Sequence, residues 1–257
     1  MNIFRKLLRN HKYRSYFALF RAILFIKIFR RKVKEYNGNL KDVAENTIFS
    51  NKRRITKNNK IHPHPRAKYF MGIDLDQSCI KSDLLIEGYK SICDRNIISE
   101  SDVLSIGPRT EGEIFNLYSH GFKLNKIKAI DLISYSKYID IGDMHKLPYE
   151  KNTFDFVLMG WCLAYSDNKK KALEEAIRVT RHGGSIAIGL SYSPKSNEEI
   201  INNRGYLIGS EERIRSLNDL VNLFEKGSVD KIQYGMDIPN DKKHIPGQIV
   251  GGFRVYK

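Results

Sequence analysis

The chain has 257 residues, 41% of them hydrophobic and 28% charged. That is enough apolar material for one large α/β domain, and it excludes a wholly disordered chain. The formal net charge of +15 is concentrated: residues 1–68 hold 19 Lys and Arg against 3 acidic residues, while the rest hold 25 against 26. The basic character belongs to an N-terminal segment, so it gives no reason to expect the domain behind it to grip nucleic acid, and no specific nucleic-acid partner is expected.

In chain order, residues 1–36 alternate basic and apolar residues, and Ser15–Phe29 is the most apolar stretch. Arg21 and Lys27 interrupt it, leaving no run long enough for a bilayer-spanning helix, and no clean apolar core precedes a cleavage site. Two readings remain open for this segment: a helix lying on an anionic membrane surface, or one packed on its own domain or a partner. Residues 37–68 are polar and basic, and Asn37-Gly38, Lys57–Lys60 and Pro63/Pro65 mark them as linker. His62 and His64 lack a third ligand nearby, and Lys52-Arg53-Arg54 reads as a solvated cluster able to touch phosphate. We divide the chain into a basic N-terminal helix and linker, 1–68, and a domain, 69–257.

Beyond residue 69 the pattern alternates. Helices are predicted over Ser82–Arg95, Glu111–Tyr118, Lys169–Thr180 and Ser216–Phe224. Strands are predicted at Val103–Ile106, Ile127–Asp131, Ile139–Asp143, Phe154–Met159, Ser185–Leu190, Val229–Tyr234 and Gly252–Tyr256, with Gly183-Gly184 as a turn. The fold class is α/β: a doubly wound, mostly parallel seven-stranded sheet with a basic N-terminal helical extension. Cys79, Cys93 and Cys162 form no CxxC pair, which argues against a zinc knuckle or a disulfide framework and fits a cytoplasmic chain. No metal site is expected.

Three features carry chemistry. Val103–Ile106 ends in Gly107-Pro108-Arg109 before a helix, where glycine lets the backbone bend and a ligand approach. Asp131 ends the next strand, where a carboxylate can accept from both ribose hydroxyls of an adenosine. Finally, Gly142-Asp143-Met144-His145-Lys146-Leu147-Pro148-Tyr149 precedes Phe154-Asp155-Phe156-Val157, and Ala172-Leu173-Glu174-Glu175-Ala176-Ile177-Arg178-Val179 leads to Gly183-Gly184.

This series resembles the class I S-adenosylmethionine-dependent methyltransferases, which show G-D-(A/M)-x-x-L-P-(F/Y), then F-D-x-V, then A-L-x-E-x-x-R-V before G-G. The resemblance covers residues 101–190 and implies a Rossmann-like methyltransferase fold with S-adenosyl-L-methionine as cofactor. It implies that Gly107, Pro108 and Arg109 line the methionine part and that Asp131 holds the ribose. Asp143 and the Met144 backbone would meet the adenine, and Gly160 and Trp161 would border cofactor and substrate. The family's glycine loop runs acidic-x-G-x-G-x-G; here Ser105 replaces the acid, and Arg109 and Glu111 stand where the later glycines would. Tyr165 and His145 are the candidate catalytic groups, for O- or N-methylation of a small-molecule or lipid-linked envelope-precursor acceptor. Residues 1–36 would supply any peripheral contact with the inner membrane face. Two alternatives remain: an NAD-binding Rossmann enzyme, and a non-catalytic protein that keeps the fold and docks to membrane or a partner.

Overall fold

The computed structural model describes residues 3–10, 13–14, 16–17, 20, 34–35, 78–108, 111–134, 136–204 and 212–257. The linker reading, His62/His64, the Lys52–Arg54 cluster and Arg109 lie outside the described residues.

The elements run α1 (Ile3–Arg9), α2 (Ser78–Ser91), α3 (Arg95–Glu100), β1 (Val103–Ile106), α4 (Glu111–Ser119), β2 (Ile127–Asp131) and β3 (Asp140–Ile141). After these come β4 (Phe154–Gly160), α5 (Lys169–Val179), β5 (Thr180–Tyr192), α6 (Asn197–Arg204), α7 (Leu217–Val221), β6 (Val229–Met236) and β7 (Gly247–Val255). The seven strands form one sheet in the order β3-β2-β1-β4-β5-β7-β6. β1 pairs in parallel with β2 and β4, β2 with β3, and β4 with β5; β7 runs antiparallel to both β5 and β6. The α/β class and the mostly parallel sheet are as the sequence predicts.

Alternation along each strand builds two cores. Val103, Ala129, Phe156, Leu158 and Ala187 face Leu85, Ile86 and Tyr89 of α2 and Ile114 and Leu117 of α4. Leu104, Ile106, Val157, Met159, Ile186 and Ile188 face Ala172, Leu173, Ala176 and Val179 of α5. On α5 those four recur at helical spacing, and Asn168 caps its start by accepting from Lys171 N at 3.1 Å. On the α2/α4 face, Tyr89 stacks on Phe156 with ring centroids 4.0 Å apart, and Phe122 lies 6.1 Å from Phe156.

Several elements differ from expectation: α3 was not predicted, α2 begins at Ser78 rather than Ser82, and β7 begins at Gly247 rather than Gly252. α6 has no strong apolar periodicity and was not predicted. β3 shrinks to two residues, because the chain turns at Gly142 to cross over Ile130. β5 begins at Thr180: Phe154 pairs with Thr180 and Phe156 with Ser185, so the expected Gly-Gly turn bulges out of a strand, with Gly183 at φ +76°.

α1 lies against α4. Arg9 donates to Ser119 O and Arg5 to Phe122 O, both at 3.3 Å, which sets cations against the carbonyl-rich end of α4. Arg14 is fully buried and donates to Leu8 O, Ser119 Oγ and Asp83. Phe17 meets Phe115 edge-on at 5.3 Å. Further along, Lys34 and Glu35 pair antiparallel with Ser134 and Ile133, just beyond the end of β2.

The Tyr89–Phe156–Phe122 stack leads to a stability prediction. Phe156→Ala should lower unfolding free energy by about 3–5 kcal/mol, read as a shifted urea midpoint at unchanged slope.

Candidate functional site

The parallel strands bring their carboxyl ends to one edge. Ile106 is in register with both Ile130 and Met159, so Gly107, Asp131 and Gly160 leave the sheet side by side. Ligands of open α/β sheets bind at this edge.

Gly107 sits at φ +71°, and its N–H donates to Ile130 O at 2.8 Å. A Cβ there would stand 2.5 Å from the Cys162 Cβ, so the close approach of β1 and β4 demands glycine. Burial pushes the Cys162 thiol well above its usual range, which keeps it protonated and unreactive. Pro108 follows, half-buried. Asp131 is 9% exposed at the end of β2, and its carbonyl accepts from Gly142 N at 3.0 Å.

The Asp143 segment is held from two directions. Asp143 Oδ1 accepts from His145 N at 2.9 Å and from His145 Nδ1 at 2.6 Å. A carboxylate only accepts, so the imidazole proton lies on Nδ1. His145 Nε2 meets Ser166 Oγ at 2.6 Å. Both ring nitrogens are thus engaged and the ring is buried, so His145 positions Asp143 and offers no free nitrogen to an acceptor. From the other side, Glu175 accepts from Leu147 N at 2.7 Å, while Arg178 donates to Leu147 O and Tyr149 O at 2.9 and 2.8 Å. Arg178 also bonds Glu175 directly, and although burial works to raise the Glu175 carboxyl, these bonds hold it below its usual value. The E-x-x-R spacing on α5 therefore has a physical purpose: it clamps the Leu147–Tyr149 loop. Met144 is half-buried against the α5-side core.

Tyr165 ends a short turn after β4, half-buried, and its N–H donates to Cys162 O at 2.9 Å. It precedes Ser166, so the structure brings Tyr165 to the same corner as His145. Trp161 adopts φ +62°, rare for a bulky residue, and its N–H donates to Gly189 O at 3.0 Å. Its ring lies across β5, where a Cβ on Gly189 would sit 2.7 Å from it. Trp161 is therefore braced against the sheet, with Gly160 beside it.

Two acidic residues at this edge were missed as site residues. Glu111 is fully buried and accepts from Ser136 Oγ at 2.5 Å, so it turns toward the β2–β3 connection. Glu113, in the first turn of α4, accepts from Ser105 Oγ at 2.5 Å. A Cβ on Gly160 would lie 2.5 Å from its Oε2. Burial pushes the Glu113 carboxyl up to about 7; the Ser105 hydrogen bond opposes this and the Asp131 charge adds to it. The sequence held a signal for Glu113: the family's acidic position is Ser105, and a carboxylate stands eight residues on, at the start of the next helix.

Residues 123–188 match the family described as a methyltransferase domain. Norajmaline N-methyltransferase of Rauvolfia serpentina is 42% identical over 57 residues, which is 22% of this chain and 19% of that protein. Ribosomal RNA-processing protein 8 of Caenorhabditis briggsae is 31% identical over 121 residues, 44% of this chain and 35% of the relative. The chain thus spans about a third or less of the length of these curated relatives. A Galdieria sulphuraria structure that carries the name sarcosine dimethylglycine methyltransferase superposes with a TM-score of 0.52 at 13% identity, over 71% of this chain and 88% of that one.

The sheet order and the motif series of residues 101–190 resemble those of the class I S-adenosylmethionine-dependent methyltransferases, and the matched methyltransferase domain, residues 123–188, lies within that span. S-adenosylmethionine is the cofactor that this class implies. The antiparallel β7, inserted between β5 and β6, separates the sheet from the all-parallel 3-2-1-4-5-6 order of dinucleotide-binding folds.

Two stability measurements test this geometry. His145→Phe would remove one of the two donors to the buried Asp143 Oδ1 and the ring partner of the Ser166 hydroxyl, and should cost about 1–3 kcal/mol in chemical denaturation at neutral pH. Glu113 binds its proton more tightly folded than unfolded, so its contribution is fully present below about 4.5 and declines as pH rises to about 7. Denaturation midpoints measured across that window should fall with pH in the parent more steeply than in Glu113→Gln.

Proposed function

We infer that the protein is a methyltransferase that uses S-adenosylmethionine to methylate an oxygen or nitrogen of a small-molecule or lipid-linked acceptor. The observation that carries this is the alignment at one sheet edge of Gly107, Asp131 and Asp143, each held by the backbone or by a neighbour. The residues present fit the cofactor. Gly107 turns the chain at the end of β1 at φ +71° and puts no side chain at the ligand edge. Asp131 stands where ribose hydroxyls need an acceptor, and Asp143 is fixed where an adenine amino group needs one. Glu113 supplies the carboxylate for the methionyl ammonium, from α4 rather than from the end of β1.

The cofactor, when bound, supplies a methyl group on a positively charged sulfur that leaves in an in-line displacement. The chain's part is positioning and exclusion of water. Gly107 and Pro108 set the floor, Gly160 and the braced Trp161 shape the acceptor side, and His145 holds Asp143 in place. Tyr165 is the side chain assigned to the acceptor's proton. The relationship to norajmaline N-methyltransferase favours a small molecule as acceptor.

Calorimetric titration of the full chain tests the reading: S-adenosylhomocysteine should bind and NAD should not. Tighter binding of NAD would overturn it, and binding of neither would favour a non-catalytic protein that keeps the fold. The role of Glu113 has its own signature. Affinity for S-adenosylhomocysteine should rise as Glu113 ionises near pH 7, by roughly tenfold for each unit of coupled shift. Glu113→Gln should abolish that rise, and binding of methylthioadenosine, which has no ammonium, should show it in neither protein.

A further inference from the structure

α1 and the helical residues after it use one side on the domain. Leu8 is buried, Phe17 meets Phe115, and Arg5, Arg9 and Arg14 bond to α4 carbonyls, Ser119 and Asp83. The other side is apolar and exposed. Ile3 is 79% exposed, Leu7 48%, Tyr13 58%, Tyr16 57% and Phe20 59%. Ile3 and Leu7 are one turn apart on α1, and beyond the bend at Asn10 Tyr13, Tyr16 and Phe20 form a second set at steps of three and four. Single exposed apolar residues need no account, but two such sets on one short segment do.

Charge names the kind of partner. Residues 1–36 carry 11 Lys and Arg against Glu35 alone, whereas residues 69–257 are nearly neutral. An anionic surface is therefore favoured. Nucleic acid is the poorer match, because the exposed set includes the aliphatic Ile3 and Leu7, which a phosphate backbone does not engage and a lipid interface buries. What faces outward among the described residues is mainly aliphatic and aromatic, with Lys6, Arg9 and Asn10 exposed among it.

We propose that residues 3–20 form an interfacial surface that docks the protein on an anionic lipid bilayer. Ile3, Leu7, Tyr13, Tyr16 and Phe20 enter the boundary between headgroups and acyl chains, and Lys6 stays with the headgroups. Among the described residues no helix is long and apolar enough to cross a membrane; the proposed contact is lateral. The proposal stands independently of the methyl-transfer reading, since no residue of either set belongs to the candidate site.

Co-sedimentation of the full chain with vesicles is the test, using phosphatidylglycerol mixed with phosphatidylcholine against phosphatidylcholine alone. The chain should sediment with the anionic vesicles, less with the neutral ones, and less again as salt is raised. Ile3→Ser/Leu7→Ser/Phe20→Ser should weaken the anionic partition by roughly tenfold or more, since each residue removes apolar burial. Lys6→Glu provides a second variant that alters no apolar contact and should weaken binding only at low salt. Failure to sediment with anionic vesicles, or unchanged sedimentation of both variants, would overturn the proposal. Release of the chain from vesicles by a single-stranded oligonucleotide would reassign the surface to nucleic acid.

Discussion

The site depends on a clamp made by two residues one helical turn apart. Glu175 and Arg178 on α5 hold both backbone faces of the Leu147–Tyr149 loop, and that loop is the continuation of the Asp143 segment. Without it, the stretch between β3 and β4 would be tied chiefly through the short Asp143–His145–Ser166 chain. The clamp works because α5 is itself fixed, with Ala172, Leu173, Ala176 and Val179 buried on the sheet. Packing energy on one face of a helix is thus converted into the position of a carboxylate at the ligand edge.

Much of this was legible in the residues. Strand alternation predicted the seven strands, because each must serve two cores and the polar ends of parallel strands collect at one edge. The E-x-x-R spacing was visible as a motif, but its physical reason was not, since hydrogen bonds to a loop some 30 positions earlier leave no periodic trace. Asp131 was legible as a carboxylate at a strand end, and Asp143 through the Gly142–Tyr149 segment that resembles the methyltransferase motif. Glu113 was hidden for the opposite reason: acidic residues in the first turn of a helix are common there on dipole grounds alone. His145 looked like a proton carrier by residue type, yet its two short hydrogen bonds make it a brace. α6 and the early start of β5 were missed because local pattern does not report bulges or short polar helices.

The N-terminal segment divides its residues by chemistry. Of its described arginines, Arg5, Arg9 and Arg14 bond to carbonyls and Asp83, and Leu8 and Phe17 pack against the domain, while Ile3, Leu7, Tyr13, Tyr16 and Phe20 stay exposed. Lys34 and Glu35, from the same stretch of sequence, pair beside the end of β2 two residues past Asp131. The segment therefore touches both the far end of α4 and the rim of the ligand edge.

The contact among Ser105, Glu113 and Gly160 also bears on how such sequences change over time. Oε2 of Glu113 occupies the space that a side chain at 160 would need, and Oε1 takes the hydroxyl that stands where relatives keep an acid. The three positions are packed as one unit. A lineage that regains an acid at 105 would set two carboxylates against each other unless 113 loses its own, and only after that loss would 160 become free to grow. Substitutions at these sites should therefore be coupled, with loss of the acid at 113 coming before growth at 160.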